Sequence, residues 1–287
     1  MLVLAIETTG KNGSAALIDE SNDPVMALST GEMSHLTDII ELIDLCFQKA
    51  GRSKADLTHV AASVGPGSFT GIRIGVSVAR ALGQSLNLPC IAVPTLEAMM
   101  LGALDFLVTE GELRPVTHIC TIINARRHQT YGAIWSVLTD YEHLDGNGEP
   151  GFLIRETVPQ GQHMIEEIME AIAGLQGTVV MTGDGVDAYR SLIADAVGRM
   201  QAEASVLPQS CGGFKPMGCS DRYPEVVEMP AEARYQRADA VARIAIGKAA
   251  AGDTVVYDKL LPDYMRKTEA EMKLEAGTLS NKIREAR

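Results

Sequence analysis

Apolar positions fall into short runs and then helical stripes, twice over along the chain. Leu2–Ile6, Ser14–Ile18 and Val25–Leu28 are three short apolar runs parted by the turn-rich "TTGKNG" and "DESNDP", a spacing that predicts an antiparallel meander. Leu36, Ile39, Ile40, Ile43, Phe47 and Ala50 then recur at helical spacing, with Ser34 placed as an N-cap and Gly51 where a helix commonly ends. A buried strand over His59–Val64, the glycine-rich turn "GPGSFTG" (Gly65–Gly71), a helix through about Leu86 and a strand over Cys90–Val93 follow. The first hundred or so residues thus read β-β-β-α-β-α-β.

The second pass begins near Val116. Strands are expected over Val116–Ile123, Thr130–Val137 and Phe152–Glu156, then a helix from about Gly161, a strand over Thr178–Met181 and the turn "TGDG" ending at Gly185. A helix to about Met200 and a last long helix over Ala231–Ala251 complete the unit. Two successive βββαβα units without obvious identity are the layout of the α/β ribonuclease-H-like and actin-like ATPase (ASKHA) fold, twin domains facing each other across a cleft. The expected division is 1–108 and 109–287. Surface-loop insertions are expected at about 140–151, rich in Gly, Asp and Glu, and at 209–230, rich in Pro, Gly and Cys. The charged end, 269–287, reads as a solvated helix or frayed tail, able to return to the first domain.

Composition narrows the classes. With 287 residues, 46% hydrophobic and 22% charged, the chain can bury a core in each of two domains and lies far from the disordered corner. A net charge of −12 argues against direct attraction to a phosphate backbone, which leaves any RNA contact to a partner. Cys46, Cys90, Cys120, Cys211 and Cys219 are scattered and odd in number, which reads as reduced thiols rather than a secreted disulfide framework. The N-terminal stretch lacks a basic n-region and cleavage pattern, and no apolar run approaches the roughly 20 residues a bilayer needs, so a cytoplasmic location without membrane contact is expected.

The densest chemical signal is "SVGPGSFTGIRIGVSVARALG", Ser63–Gly83. A strand running through a Pro-Gly turn into a helix points N–H groups and the positive helix end at one spot, which favours an anion. Ser68 and Thr70 add hydroxyls and Arg73 a guanidinium; equally, Gly65, Gly67 and Gly71 satisfy tight backbone geometry, with Gly75 and Gly83 allowing close packing. It is neither a Walker A loop, lacking "GK[ST]", nor a GxSxG elbow. "IETTG" puts Glu7, Thr8 and Thr9 at the end of the first strand, where actin-like ATPases hold an aspartate near the nucleotide's metal; Glu7 could act through water on Mg²⁺ or simply bond neighbouring N–H groups. The matching turn "INARRH" has Asn124 where an acid would be expected, so the ATPase apparatus looks incomplete. Arg126 and Arg127 pair with acids across the cleft or are solvated, and Asp184 of "TGDG" meets an adenosine moiety or serves the turn alone. The six histidines show no HxxxH or HExxH spacing, so no metal site is expected.

Taken in order, "LAIETTG", "SHLTDIIELI", "VGPGSFTGIRIGVSVARAL", "INARRHQTYGAIW", "GDGVDAYR" and "PDYMRKTEAE" resemble the TsaB (YeaZ) family over most of the chain. The resemblance implies the actin-like twin-domain fold and a subunit without catalytic activity of its own. That subunit would scaffold or activate the transferase TsaD in forming N6-threonylcarbamoyladenosine in tRNAs that read codons starting with adenine. It implies TsaD as heterodimer partner, TsaE as a further component, a homodimer in isolation, and tRNA contact only through the complex. No cofactor is required by it, though ATP or ADP could sit at a complex interface. It also implies that the helices starting near His35 and after Gly71 face a partner, through His35, Leu36, Ile39, Ile43, Ile74, Val78 and Leu82. The alternative is a nucleotide-binding ATPase or kinase-like enzyme using Glu7, Thr9, Ser68 and Arg73 around phosphates. Glu7, Asn124 where "DAR" is usual, and the two insertions depart from the family pattern and count against that alternative.

Overall fold

A computed structural model describes residues 1–28, 36–110, 116–144, 150–206 and 223–265. The first half runs β1 (Leu2–Glu7), β2 (Ser14–Asp19), β3 (Val25–Leu28), α1 (Leu36–Ala50), β4 (His59–Gly65), α2 (Phe69–Leu86), β5 (Cys90–Pro94) and α3 (Thr95–Thr109). The second runs β6 (Val116–Asn124), β7 (Gln129–Leu144), β8 (Pro150–Met164), α4 (Ile165–Ala173), β9 (Thr178–Thr182), α5 (Asp184–Ala188), α6 (Arg190–Val206), β10 (Glu225–Glu228) and α7 (Ala238–Ala250). The sheets have orders β3-β2-β1-β4-β5 and, read in the matching sense, β8-β7-β6-β9-β10. In each, an antiparallel meander is joined to parallel strands through its first strand, β1 to β4 and β6 to β9. This is the actin-like arrangement expected from the repeat.

Strand alternation explains the layers. Leu2, Leu4 and Ile6 of β1 join the core beneath α1 and α2, while Val3 and Ala5 join the one beneath α7. In the second sheet Ile119 and Ile123 pack with α3, whereas Cys120 and Ile122 pack with α4, α5 and α6. Helices α3 and α7 therefore lie between the sheets, with α1 and α2 outside one and α4 to α6 outside the other. The α7 face against the first sheet is built from Ala238, Val241, Ala242 and Ala245, small side chains that let the helix approach closely.

Five expectations are corrected. Residues 95–109, given no element, form α3, because Leu96, Met99, Met100, Ala103, Leu104 and Leu107 are buried at helical spacing. The stretch expected as a loop over 140–151 is strand at both ends, since Asp140 pairs with Gly151 and Leu144 with Pro150 in a long hairpin. That hairpin also delays the helix expected from Gly161 to Ile165, the ladder running on to Met164 opposite Gln129. The last helix starts at Ala238 rather than Ala231, and the 209–230 stretch contains the edge strand β10. Residues 207–222, Cys211 and Cys219 with them, and 269–287 lie outside the described residues.

After α7 the chain returns to the first sheet. Val255 exchanges backbone hydrogen bonds with Cys90, Leu260 is fully buried among the α1 and α2 core, and the Asp263 N–H donates to the Val64 carbonyl at 2.7 Å. Cys46, Cys90 and Cys120 are buried free thiols, and burial pushes Cys46 up to about 11 and Cys120 to about 12, far from reactive thiolates. Among the described residues no helix is long and apolar enough to cross a membrane.

If the return segment is part of the core, Leu260→Ala costs about 2–5 kcal/mol in urea unfolding, as for a buried leucine. Leu261→Ala, 59% exposed, stays within about 0.5 kcal/mol. Equal effects of the two substitutions would contradict this docking.

Candidate functional site

The end of β1 and the start of α2 are built into one another. Thr8 Oγ1 donates to the Gly71 carbonyl at 2.7 Å, and the Ser68 N–H donates to the Thr9 carbonyl at 2.8 Å. A side chain at Gly71 would collide with the Thr8 carbonyl oxygen, one at Gly67 with that of Thr9, and one at Gly75 with Thr8 Oγ1. Gly65, at φ +124°, is pressed by the Asp263 carbonyl of the return segment. The glycines thus serve close approach of backbone to backbone, the packing alternative of the two left open by the sequence.

Ser68 caps α2, its side chain accepting from the Gly71 N–H at 3.2 Å, and the Ile72 N–H donates to the Ser68 carbonyl. Ser68, Thr70 and Arg73 are exposed. Arg73 does not turn to the loop: its guanidinium carbon lies 3.8 Å from the centre of the Phe69 ring, and its Nε donates to Tyr264 Oη at 2.9 Å. Tyr264 in turn stacks on Phe69 with ring centres 4.9 Å apart. The cation–π stack ties the return segment to the first turn of α2.

Glu7 lies fully buried beneath this joint. Its carboxylate accepts from the Thr9 N–H, from Thr9 Oγ1 at 2.6 Å and from Ser63 Oγ. Burial pushes its carboxyl above the ordinary range, while the hydrogen bonds from Ser63 and Thr9 pull it back. The Glu7 carboxylate is thus bonded to neighbouring N–H and O–H groups.

The second half repeats the joint with different atoms. A side chain at Gly183, φ +104°, would collide with the Ile122 carbonyl oxygen at the end of β6, and one at Gly185 would sit tightly against Ile122. Asp184 accepts from the Asn124 N–H at 3.0 Å, and burial pushes its carboxyl up. Asn124 Oδ1 accepts from the Arg126 N–H at 2.8 Å and from Tyr189 Oη at 2.9 Å. Arg126, Arg127 and His128 follow at φ 65°, 53° and 62°, three left-handed residues that present exposed side chains. His128 Nδ1 lies 3.1 Å from Glu166.

The partner-face residues are divided by the fold. Ile39, Ile43 and Val78 are buried, at 0%, 4% and 6% exposure, in the core beneath α1 and α2, so they cannot be offered to a partner by this chain. That corrects the expectation: the apolar stripe of an amphipathic helix is taken by its own sheet. Ile74 and Leu82 are half-buried against the same core, and the exposed large apolar side chains described on the two helices are Ile40, Leu45, Phe69 and Leu86. His35 and the side chain of Leu36 lie outside what the structure describes. Among the described residues no three of His, Cys, Asp or Glu converge in a way that would hold a metal ion.

Some neighbours of the joint gave no signal in the sequence. Ser63 on β4 and Thr95 at the start of α3, whose Oγ1 is 3.4 Å from Thr9 Oγ1, are ordinary residues of apolar stretches. Gln236 is buried on Gly10 with neither amide atom paired. Arg234, also buried, contacts Asp187 and donates twice to the Met229 carbonyl.

Comparison with known proteins puts this geometry in context. The chain is 26% identical over 198 residues to the Bacillus subtilis "tRNA threonylcarbamoyladenosine biosynthesis protein TsaB", covering 69% of this chain and 77% of that one. It is 27% identical over 220 residues to the Escherichia coli protein of the same description, covering 76% and 86%. A family model described as "TsaD: tRNA N6-adenosine threonylcarbamoyltransferase" matches residues 30–211, well over half of the chain. The chain belongs to this family, in its TsaB (YeaZ) branch. The crystal structure of "an uncharacterized protein with similarity to peptidase YEAZ from Pseudomonas aeruginosa" superposes with a TM-score of 0.62 at 20% identity, covering 92% of this chain and 99% of that one, which shows the shared fold. In this TsaB-branch chain both glycine turns are thus joints between the strands and helices of each half.

Glu7 gives the joint a pH signature. A carboxyl raised in the folded state contributes fully below its ordinary value, and that contribution is lost as pH climbs through the raised value. Glu7→Gln removes the titration, so the stability difference shifts toward the variant above about pH 4.5, by up to about 1.4 kcal/mol per pH unit. Urea unfolding from pH 4.5 to about pH 8 measures it, and a flat difference would contradict a buried, raised Glu7.

Proposed function

We propose that this chain is the TsaB-type subunit in forming N6-threonylcarbamoyladenosine in tRNA, and that it holds or activates a TsaD-type transferase without doing chemistry itself. The relatives named for this pathway support the assignment to it. Glu7 carries the non-catalytic part of the reading. Standing where the fold would place a nucleotide's acid, it is sealed from solvent, and its carboxylate is committed to Thr9 and Ser63. The nearby cation is committed too, Arg73 being stacked on Phe69 and bonded to Tyr264.

In this reading the first half serves the partner through the outer layer of α1 and α2. Ile40 and Leu45 on α1, with half-buried Ile74 and Leu82 on α2, supply the apolar side chains left over by the core. A TsaE-type component joins the pair, tRNA is met through the complex, and ATP or ADP, where used, sits at an interface rather than in this chain alone. The net charge of −12 supports leaving the tRNA to the partner. The setting is the cytoplasm, and the free chain pairs with itself when its partner is absent.

Co-expression with the same organism's TsaD-type protein, followed by size-exclusion chromatography with light scattering, tests the pairing. The wild type gives a one-to-one complex, and Ile40→Asp with Leu45→Asp weakens it at least about tenfold, a buried charge being costly at an apolar contact. Both positions are exposed, so the variant keeps its fold, which circular dichroism checks. Absence of a wild-type complex, or full assembly by the variant, would sink the proposal.

A further inference from the structure

A groove of about 260 Å³ runs between α4 and α6 on the outer layer of the second half. Its floor is apolar: Ile165, Met169, Ala196 and Met200 are buried, and Ala173 and Leu192 are half-exposed beside them. Its rim is acidic, with Glu166, Glu170, Asp195 and Glu203 exposed; among the described lining residues the cation is Arg199, and His128 reaches Glu166 from outside the groove. Tyr223 closes one end and donates its hydroxyl to Glu203.

Each part of this lining points to the same occupant. Two helices side by side offer no free strand edge, so a guest must bring its own satisfied backbone, as a helix does. Two methionines in the floor adapt to the shape of inserted side chains, a property used by surfaces that accept apolar anchors at i, i+3 and i+4. Among the described lining residues, four carboxylates, Glu166 of them bonded to His128, stand against the guanidinium of Arg199; this excess favours lysine and arginine on the flanks of that helix and repels an acidic one. We propose that this groove docks a basic amphipathic helix of a partner protein. The site lies in the layer opposite α1 and α2, so both faces can be occupied at once, and the inference does not rest on the proposed function.

The test uses the full chain and a labelled synthetic helix of leucine and lysine, with leucines at helical spacing, in fluorescence anisotropy. The expected result is saturable binding that weakens at least about tenfold between low salt and 0.3 M salt, with a leucine–glutamate helix at least about tenfold weaker throughout. Glu170→Lys with Asp195→Lys, both exposed, weakens the lysine helix about tenfold or more, while Glu41→Lys on α1 changes it less than about twofold. Methionine methyl spectra shift at Met169 and Met200 on binding. No binding, equal binding of the two helices, unchanged binding by the rim variant, or shifts that miss both methionines would each overturn the proposal. So would occupation of the face by a second copy, seen as self-association that the rim variant abolishes.

Discussion

Two carbonyl oxygens, those of Thr8 and Thr9, occupy the space that side chains at Gly71 and Gly67 would need. Much of the first half depends on that approach. It fixes the end of β1 against the start of α2, brings Ser68 to its cap, and shuts Glu7 beneath Thr9 and Ser63 away from water. The return segment completes it from outside, with the Asp263 carbonyl on Gly65 and Tyr264 on Arg73 and Phe69. Backbone contacts this close leave no room for a Cβ, and interiors packed at crystal density cannot yield it cheaply.

The same constraint bears on function. A turn of this shape in an α/β fold offers N–H groups to an anion, but here neighbours within the chain take several of them: Ser68 N–H goes to Thr9, Gly71 N–H to Ser68 Oγ and Thr9 N–H to Glu7. In the second half, Gly183 and Gly185 press on Ile122 and Asp184 binds the Asn124 N–H. Joints of this kind fasten the end of a strand to the turn and helix packed on it in each half.

The repeat was readable because strand runs and helical stripes alternate with clear turn signals, and the glycine turn stood out by density alone. Two alternatives stayed open there, anion cradle or close packing, because glycine serves both, and the close approach of Thr8 and Thr9 is visible only in the coordinates. The partner face is only partly legible in the sequence for a similar reason. Ile39, Ile43 and Val78 form the apolar stripe, and a stripe shows that a helix is buried without saying by what. Helix α3 escaped notice because its apolar residues surround most of its girth, lying between two sheets and contacting α7, so its periodicity is weak. Edge strand β10, the four residues Glu-Val-Val-Glu, carries too little pattern to be told from a loop. Ser63, Thr95 and Gln236 are recruited by tertiary contact and have no local signature at all.

Nucleoside mass spectrometry on tRNA modified by the same organism's purified proteins, with and without this chain, addresses the central claim most directly. Without the chain, formation of N6-threonylcarbamoyladenosine should fall at least about tenfold. On the proposal that Glu7 holds the joint, where Thr9 and Ser63 donate to it, and does no chemistry, Glu7→Gln protein should restore it as well as wild type does. Full modification without the chain, or a folded Glu7→Gln protein that fails to restore it, would contradict the account.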